Sequence, residues 1–152
     1  MANSIWLGPV DGPNSKALLE EGECAEAAMI PGSVADYAAS SAGFELMDDA
    51  ATVFGKPLMV VDRKWSQGAT MTTAWTLGEN MVVVKPRSGE FINVLVVTGQ
   101  ALLRGTALTR SAGTPGALVI ATIASPQLHE ILCYADEVVT TGATQLVQVR
   151  VA

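Results

Sequence analysis

The clearest alternation of apolar and polar positions lies near the C-terminal end, where "LVQVRVA" sets Val147, Val149 and Val151 on one face and Gln148 and Arg150 on the other. A period of two is that of a strand buried on one side. Upstream, "MVVVKPRSGEFINVLVV" holds two apolar runs, Met81 to Val84 and Phe91 to Val97, joined by a connection in which Pro86 and Gly89 supply turn chemistry. That arrangement predicts a hairpin. "KPLMVVDRKW" (Lys56 to Trp65), "ALLRGTAL" (Ala101 to Leu108) and "ALVIATIA" (Ala117 to Ala124) add three β-type runs, each bounded by Gly, Pro, Asn or Asp within a few residues. Gly105, inside the second, reads as a bulge or close backbone approach, and "SAGTPG" as a surface loop.

Helical pattern is scarce. "NSKALLEEGECAEAAMI" can be drawn as a helix with Ser15 as N-cap and Leu18, Leu19 and Ala25 on one face. Gly22 interrupts it at a cost of about 1 kcal/mol relative to alanine, so the segment is expected to be extended or irregular. "GATMTTAWTLGEN" is compatible with one short helical turn before Gly78, and "SPQLHEILCYA" with either a helix capped by Ser125 or a strand over Leu128 to Tyr134. "IPGSVADYAASSAGFELM" adds a Pro-Gly turn, a short run and a polar loop. Strands at this spacing predict an all-β fold, a compact β-barrel or sandwich. The expected organisation is one β-rich domain over residues 26–152, preceded by an extended N-terminal arm over residues 1–25.

Composition narrows the function classes. The 152 residues are 49 % hydrophobic and 16 % charged, which excludes a disordered or nucleic-acid-wrapping chain. Aromatic residues make up only 5 %, so small and β-branched side chains must carry the core, which suits tightly stacked sheets better than a pocket walled by rings. Charge is uneven. Residues 1–50 hold nine acids against Lys16 alone, and the rest of the chain is slightly basic; the first third is either a solvated surface or a segment that docks on a basic partner. "MANSIWLGPV" has no basic stretch ahead of an export-length apolar core, and no apolar run approaches the ~20 residues of a membrane span. A soluble protein with no membrane partner is expected. Cys24 and Cys133 are far apart in apolar surroundings and read as buried free thiols.

Motifs for chemistry are weak. No Walker pattern exists, and Gly99, Gly105, Gly113 and Gly116 do not match the dinucleotide fingerprint. His129, the one histidine, sits between Leu128 and "EIL" without a nucleophile elbow, so a structural histidine is the stronger reading. One His and two distant Cys do not make a zinc site. Asp48 and Asp49 fit a surface turn better than a carboxylate pair. No cofactor or metal is expected. Lys85, Arg87, Arg104 and Arg110 could form a patch if their strands are neighbours, too weak for nucleic acid in a chain of pI near 4.6 but suited to an acidic protein surface. Trp6, in the apolar "SIWLGPV", either tucks onto its own domain or grips a neighbour.

Read in order, the whole chain resembles a family of tailed-bacteriophage head decoration, or capsid cement, proteins. The match is carried by a short apolar opening "SIWLGPV", an acidic stretch "ECAEAAMIPGSV", the loop "AASSAGFELMDDA", then a strand, a "G…AW..GE" turn, a hairpin, the "G..L..GTAL" strand before "G.L", and the closing "LVQVRVA". The resemblance implies a protein with no reaction to catalyse, bound in many copies to the outside of a phage head, commonly as trimers. Its expected partners are the phage major capsid protein and further copies of itself, its location the outer surface of the virion. Position and composition then assign candidate roles: Ile5, Trp6 and Leu7 as an apolar anchor, Glu20, Glu21 and Glu23 as a polar docking segment, and Lys85, Arg87 and Arg104 as complementary charge, with Arg104 and Arg110 left on the rim.

Two rivals come from other classes. A β-sandwich that recognises carbohydrate on a host surface would use Trp65 and Trp75 as an exposed sugar platform. An enzyme would need a pocket joining His129 to an acid and a nucleophile.

Overall fold

The computed structural model describes residues 4–8, 18–39, 42–48, 57–65, 68–122 and 130–152, and the described chain is β-strand joined by turns and loops, with almost no helix. In chain order the strands are β1 (Trp6–Gly8), β2 (Leu18–Cys24), β3 (Val34–Tyr37), β4 (Gly43–Leu46), β5 (Met59–Val61), β6 (Asn80–Lys85), β7 (Phe91–Val96), β8 (Ala101–Leu102), β9 (Ala107–Arg110), β10 (Leu118–Ile120), β11 (Cys133–Ala135), β12 (Val139–Thr140) and β13 (Gln145–Val151). The predicted all-β class holds, and its form is two barrels. β2, β4, β3, β5 and β6 close the first. In the second sheet the β7–β13 ladder joins the run β7-β10-β9-β11-β13 end to end, with β1 added along β7.

Side-chain parity explains the first closure. Gly22 and Cys24 on β2, Met81 and Val83 on β6, Met59 and Val61 on β5, Ala35 on β3 and Phe44 on β4 share one parity along their strands and fill the interior with Met29 and Trp75. Gly22 leaves room for the Phe44 ring, whose Cε2 would stand 2.7 Å from any Cβ added there. The opposite parity, Val34, Val60 and Val84, turns outward and joins the core of the second barrel, where Ile92, Val94, Val96, Val147, Val149, Leu108 and Leu118 meet. One apolar cluster therefore spans both barrels.

Backbone bonds stitch the same joint. Gly32 accepts from Leu95 N at 2.8 Å, Gly116 O accepts from Val34 N at 2.8 Å, and Gly116 N donates to Met47 O at 2.8 Å. Gly116 has φ +75°, a conformation that only glycine adopts without strain, and a Cβ on it would stand 2.7 Å from Leu46 Cδ2.

Several expectations change. The two runs around "KPRSGE" are strands, but β6 pairs with β2 and β5 while β7 pairs with β1, β13 and β10. The connection is a hand-over between barrels, not a hairpin. Its turn is closed by Glu90, whose backbone N donates to Arg87 O at 3.0 Å while its carboxylate accepts from Arg87 N at 2.9 Å. "ALLRGTAL" is two strands: Gly105 lies in the tight turn between β8 and β9, at φ +85° and exposed, so it is neither a bulge nor a close approach. Residues before Gly78 form turns and one bridge, Met29 to Trp75, with no helix. The described part of "SPQLHEILCYA" contributes the strand β11. Of the expected arm over 1–25, residues 18–24 are a barrel stave and residues 6–8 an added strand, so the described parts are built into the fold. "LVQVRVA" keeps its predicted parity, with Val147, Val149 and Val151 all buried.

Candidate interaction surfaces

The N-terminal strand is anchored inward. Ile5 is 0 % exposed in the shared core, and its carbonyl accepts from Asn93 N at 2.8 Å. An apolar anchor for a neighbour has to be reachable, so Ile5 is removed from that role. Asn93 Nδ2 also donates to Ser4 O at 2.7 Å, and Trp6, half-buried on the same core, donates from Nε1 to Glu90 Oε2 at 3.3 Å. Both bonds hold β1 on β7. Leu7 alone of the three stays exposed.

The predicted docking acids do not share a face. Glu20 has the inward parity of β2, whereas Glu21 and Glu23 point outward and are exposed. Glu20 pairs with Lys85, and the Tyr37 hydroxyl donates to Glu20 Oε2 at 2.9 Å, so the three close one end of the first barrel. The Lys85 ammonium beside it holds the Glu20 carboxyl below the usual carboxylate range, and the Glu20 carboxylate, with the Tyr37 hydroxyl second, pushes Lys85 up. Lys85 is therefore neutralised within the chain. Arg87 is exposed on the inter-barrel turn. Arg104 is exposed on the β8–β9 turn, donating from Nε to Asp136 O at 3.0 Å. No contact links these bases into one patch among the described residues. Arg110 is not a rim residue: it is buried, with Nη2 2.8 Å from Glu130 Oε2.

What sequence reasoning passed over is the start of β2. Leu18 and Leu19 are 52 % and 54 % exposed at the end of a six-residue ladder with β6, opposite Lys85 and Val84. In sequence both fall on the apolar face of a helix pattern that Gly22 interrupts, and no motif marks them.

A second surface lies on the first barrel where the chain leaves β5 as "DRKW", beside the Glu79–Asn80 end of the β2–β6 ladder. Asp62 is buried and bonded through three oxygens: Oδ1 accepts from Arg63 N at 2.8 Å, Oδ2 from Trp65 Nε1 at 2.8 Å, and its carbonyl from Trp75 Nε1 at 2.7 Å. The two indoles so fixed bound a cleft of roughly 370 Å³ whose wall includes Glu21 and Val82, paired across β2 and β6. Trp75 is 6 % exposed and forms the inner wall; Trp65 is 55 % exposed, with the Arg63 guanidinium stacked 3.4 Å from its ring centroid. Lys64, buried, pairs with Glu79 and lies 5.2 Å from the Trp75 centroid. That ammonium, helped by the Thr76 N–H at 2.6 Å, keeps the Glu79 carboxyl below its ordinary range. Arg63 Nε is buried with no acceptor among the described residues. An aspartate three residues before a tryptophan was the available signal.

For the remaining chemistry, His129 and Asp49 lie outside the described residues, and Asp48 is exposed. Cys24 and Cys133 are free and buried, as expected; burial pushes the Cys133 thiol up to about 12 and raises that of Cys24. Among the described residues no three or more His, Cys, Asp or Glu side chains are grouped to hold a metal ion, and no helix is long and apolar enough to cross a membrane. Neither a protein-family model nor a curated protein sequence matches this chain.

Proposed function

We propose that this chain is a head decoration protein of a tailed bacteriophage, a trimer that binds the outer surface of the capsid and stabilises it by bridging neighbouring capsomers. It is made in the host cytoplasm, catalyses no reaction, and has the major capsid protein and its own copies as partners. The observation that carries the reading is the exposed start of β2, where Leu18 and Leu19 leave apolar surface on both faces of a stave held by a six-residue ladder. Exposed apolar side chains on a fixed strand lose little freedom when covered, which favours a protein interface. The order of features along the chain, with its resemblance to capsid cement proteins, supports the same class.

The role is mechanical. A shell under outward pressure parts only when its inter-capsomer contacts are lost, and each bridging subunit adds interface that must be lost with them. A standard interface buries about 1,600 Å², and three linked contacts raise avidity by roughly 10² to 10⁴ without any single one being strong. The test is the mass of the purified protein by light scattering, then co-sedimentation with mature heads stripped of decoration. A trimer that rebinds and raises the disruption temperature of the heads is expected. Leu18→Asp with Leu19→Asp, both at exposed positions, should weaken rebinding by about tenfold or more. A monomer that ignores the heads would overturn the proposal.

A further inference from the structure

The cleft beside Trp65 takes no part in the proposed capsid contacts, and its chemistry points to a small ligand. An indole that only packs is covered; Trp65 is more than half exposed yet held at two points, by Asp62 on Nε1 and by Arg63 over one face. With that edge and that face occupied, its free area belongs to the opposite face and the far edge of the ring. A ring fixed in advance needs little ordering on binding. The volume, roughly 370 Å³, falls within the range of small-ligand clefts.

The polar groups around the indole select the ligand. Arg63 offers donors, Glu21 an acceptor and Asn80 both, and none of the three side chains has a hydrogen-bond partner among the described residues. Charge cancels locally, Arg63 and Lys64 against Glu21 and Glu79, so neither an anion nor a cation is drawn in. A nucleic-acid strand would need unbalanced cations for its phosphates. A peptide adding as a strand would need a free edge, but β2 is paired with β4 and β6, and β6 with β2 and β5. A neutral sugar fits: one face of a pyranose is C–H and stacks on an aromatic ring, and its hydroxyl rim both donates and accepts.

We propose that this cleft binds a neutral pyranose unit of a glycan, with Trp65 as the stacking platform, Arg63, Glu21 and Asn80 as hydroxyl partners, and Asp62 as the residue that positions both indoles. Trp75 is the wall of the site and not part of the platform. The proposal does not rest on the capsid reading, and a trimer or a monomer could carry it.

The experiment titrates the intact protein with maltotetraose, cellotetraose and chitotetraose, following tryptophan fluorescence and saturation-transfer NMR of the sugar. At least one should bind saturably with Kd on the order of 1 mM. Trp65→Ala should abolish the fluorescence change and weaken binding by about tenfold or more, and Glu21→Ala, at an exposed position, should weaken it several-fold with the far-UV spectrum unchanged. Arg104→Ala, outside the cleft, should bind as the parent does. No saturation by any of the three up to about 50 mM, or equal binding by the parent and Trp65→Ala, would overturn the proposal. Saturable binding of sialyllactose or a heparin disaccharide in preference to the neutral sugars would overturn the assignment of ligand charge.

Discussion

The two barrels have nearly the same strand count and different interiors. The second is filled by Ile92, Val94, Val96, Val147 and Val149, β-branched side chains with restricted χ1 that pack well on a pleated surface. The first holds Met29, Met59, Met81, Cys24, Phe44 and Trp75, adaptable thioethers around two large rings. Their polar groups differ in the same sense. In the second barrel the buried Arg110 is paired with a part-buried Glu130, and at the two-stranded β8–β12 sheet Thr141 Oγ1 donates to Val97 O at 2.7 Å and accepts from Gln100 N at 2.8 Å. In the first, ion pairs stand at the two ends of the β2–β6 ladder, Glu20–Lys85 at one and Lys64–Glu79 at the other, with the exposed leucines and the cleft beside them. The second barrel is the β-branched scaffold, and the first carries the exposed start of β2 and the cleft; large exposed apolar side chains outside the first barrel are confined to Leu7 on β1 and to Leu103 and Val138 beside the β8–β12 pairing, among the described residues.

The largest test of that division is the aromatic centre of the first barrel. Phe44→Ala should cost about 3–5 kcal/mol, and Ile92→Ala in the second about 2–5 kcal/mol. Because Val34, Val60 and Val84 of the first barrel lie in the same cluster as Ile92 and Val94 of the second, the two barrels should unfold together. Native-state hydrogen exchange checks it: in the Phe44→Ala variant the slowest amides of β6 and β13 should report one shared opening free energy. If β13 stays protected while β6 opens, the barrels are separate units and the scaffold supports its neighbour less than the shared core implies.

The joint itself comes next. Gly32 has φ +89°, and a Cβ there would overlap Leu146 Cδ2; Gly116, at φ +75°, meets Leu46 in the same way. Gly32→Ala and Gly116→Ala should each cost about 2 kcal/mol, combining left-handed strain with overpacking. Urea midpoints should fall with the slope unchanged. A fall in the slope as well would mean that loosening the joint lets one barrel unfold before the other.

How much of this was legible follows the exposure of each element. β13 could be read because one side is buried and the other is not, so Val147, Val149 and Val151 alternate with Gln148 and Arg150. β7 is buried on both sides from Ile92 to Val96, which erases the alternation and with it any sign of which strand is its partner; a five-residue turn then looks like a hairpin. Ile5 and Trp6 invited an interface reading because a short apolar segment cannot cover itself, and sequence does not reveal that Asn93 and Glu90, more than eighty positions away, hold it down. Trp65 and Trp75 look alike in sequence. Asp62 separates them, binding one through its carboxylate and the other through its carbonyl, and only the first is left in solvent.

The smallest effect tests whether charge at the barrel ends is a device of stability at all. Glu20 and Lys85 are partly exposed, so water screens them, and their pair is worth at most about 1 kcal/mol. Its pH dependence has a definite form. Glu20 titrates below its ordinary range, so its contribution is present above pH 4.5 and is lost as pH falls through the lowered value. Lys85 titrates above its ordinary range, so its contribution is present below pH 10.5 and is lost as pH rises through the raised value. Glu20→Gln with Lys85→Met should therefore differ from the parent most between those limits and converge on it at both extremes, as urea midpoints across pH would record. A difference that persists at low pH would have to come from packing, since the Lys85 stem and the Tyr37 ring also close that end, with the ammonium 5.1 Å from the ring centroid. The first barrel would then end in an apolar plug with charged tips, and the contrast with its partner would lie in side-chain shape more than in charge.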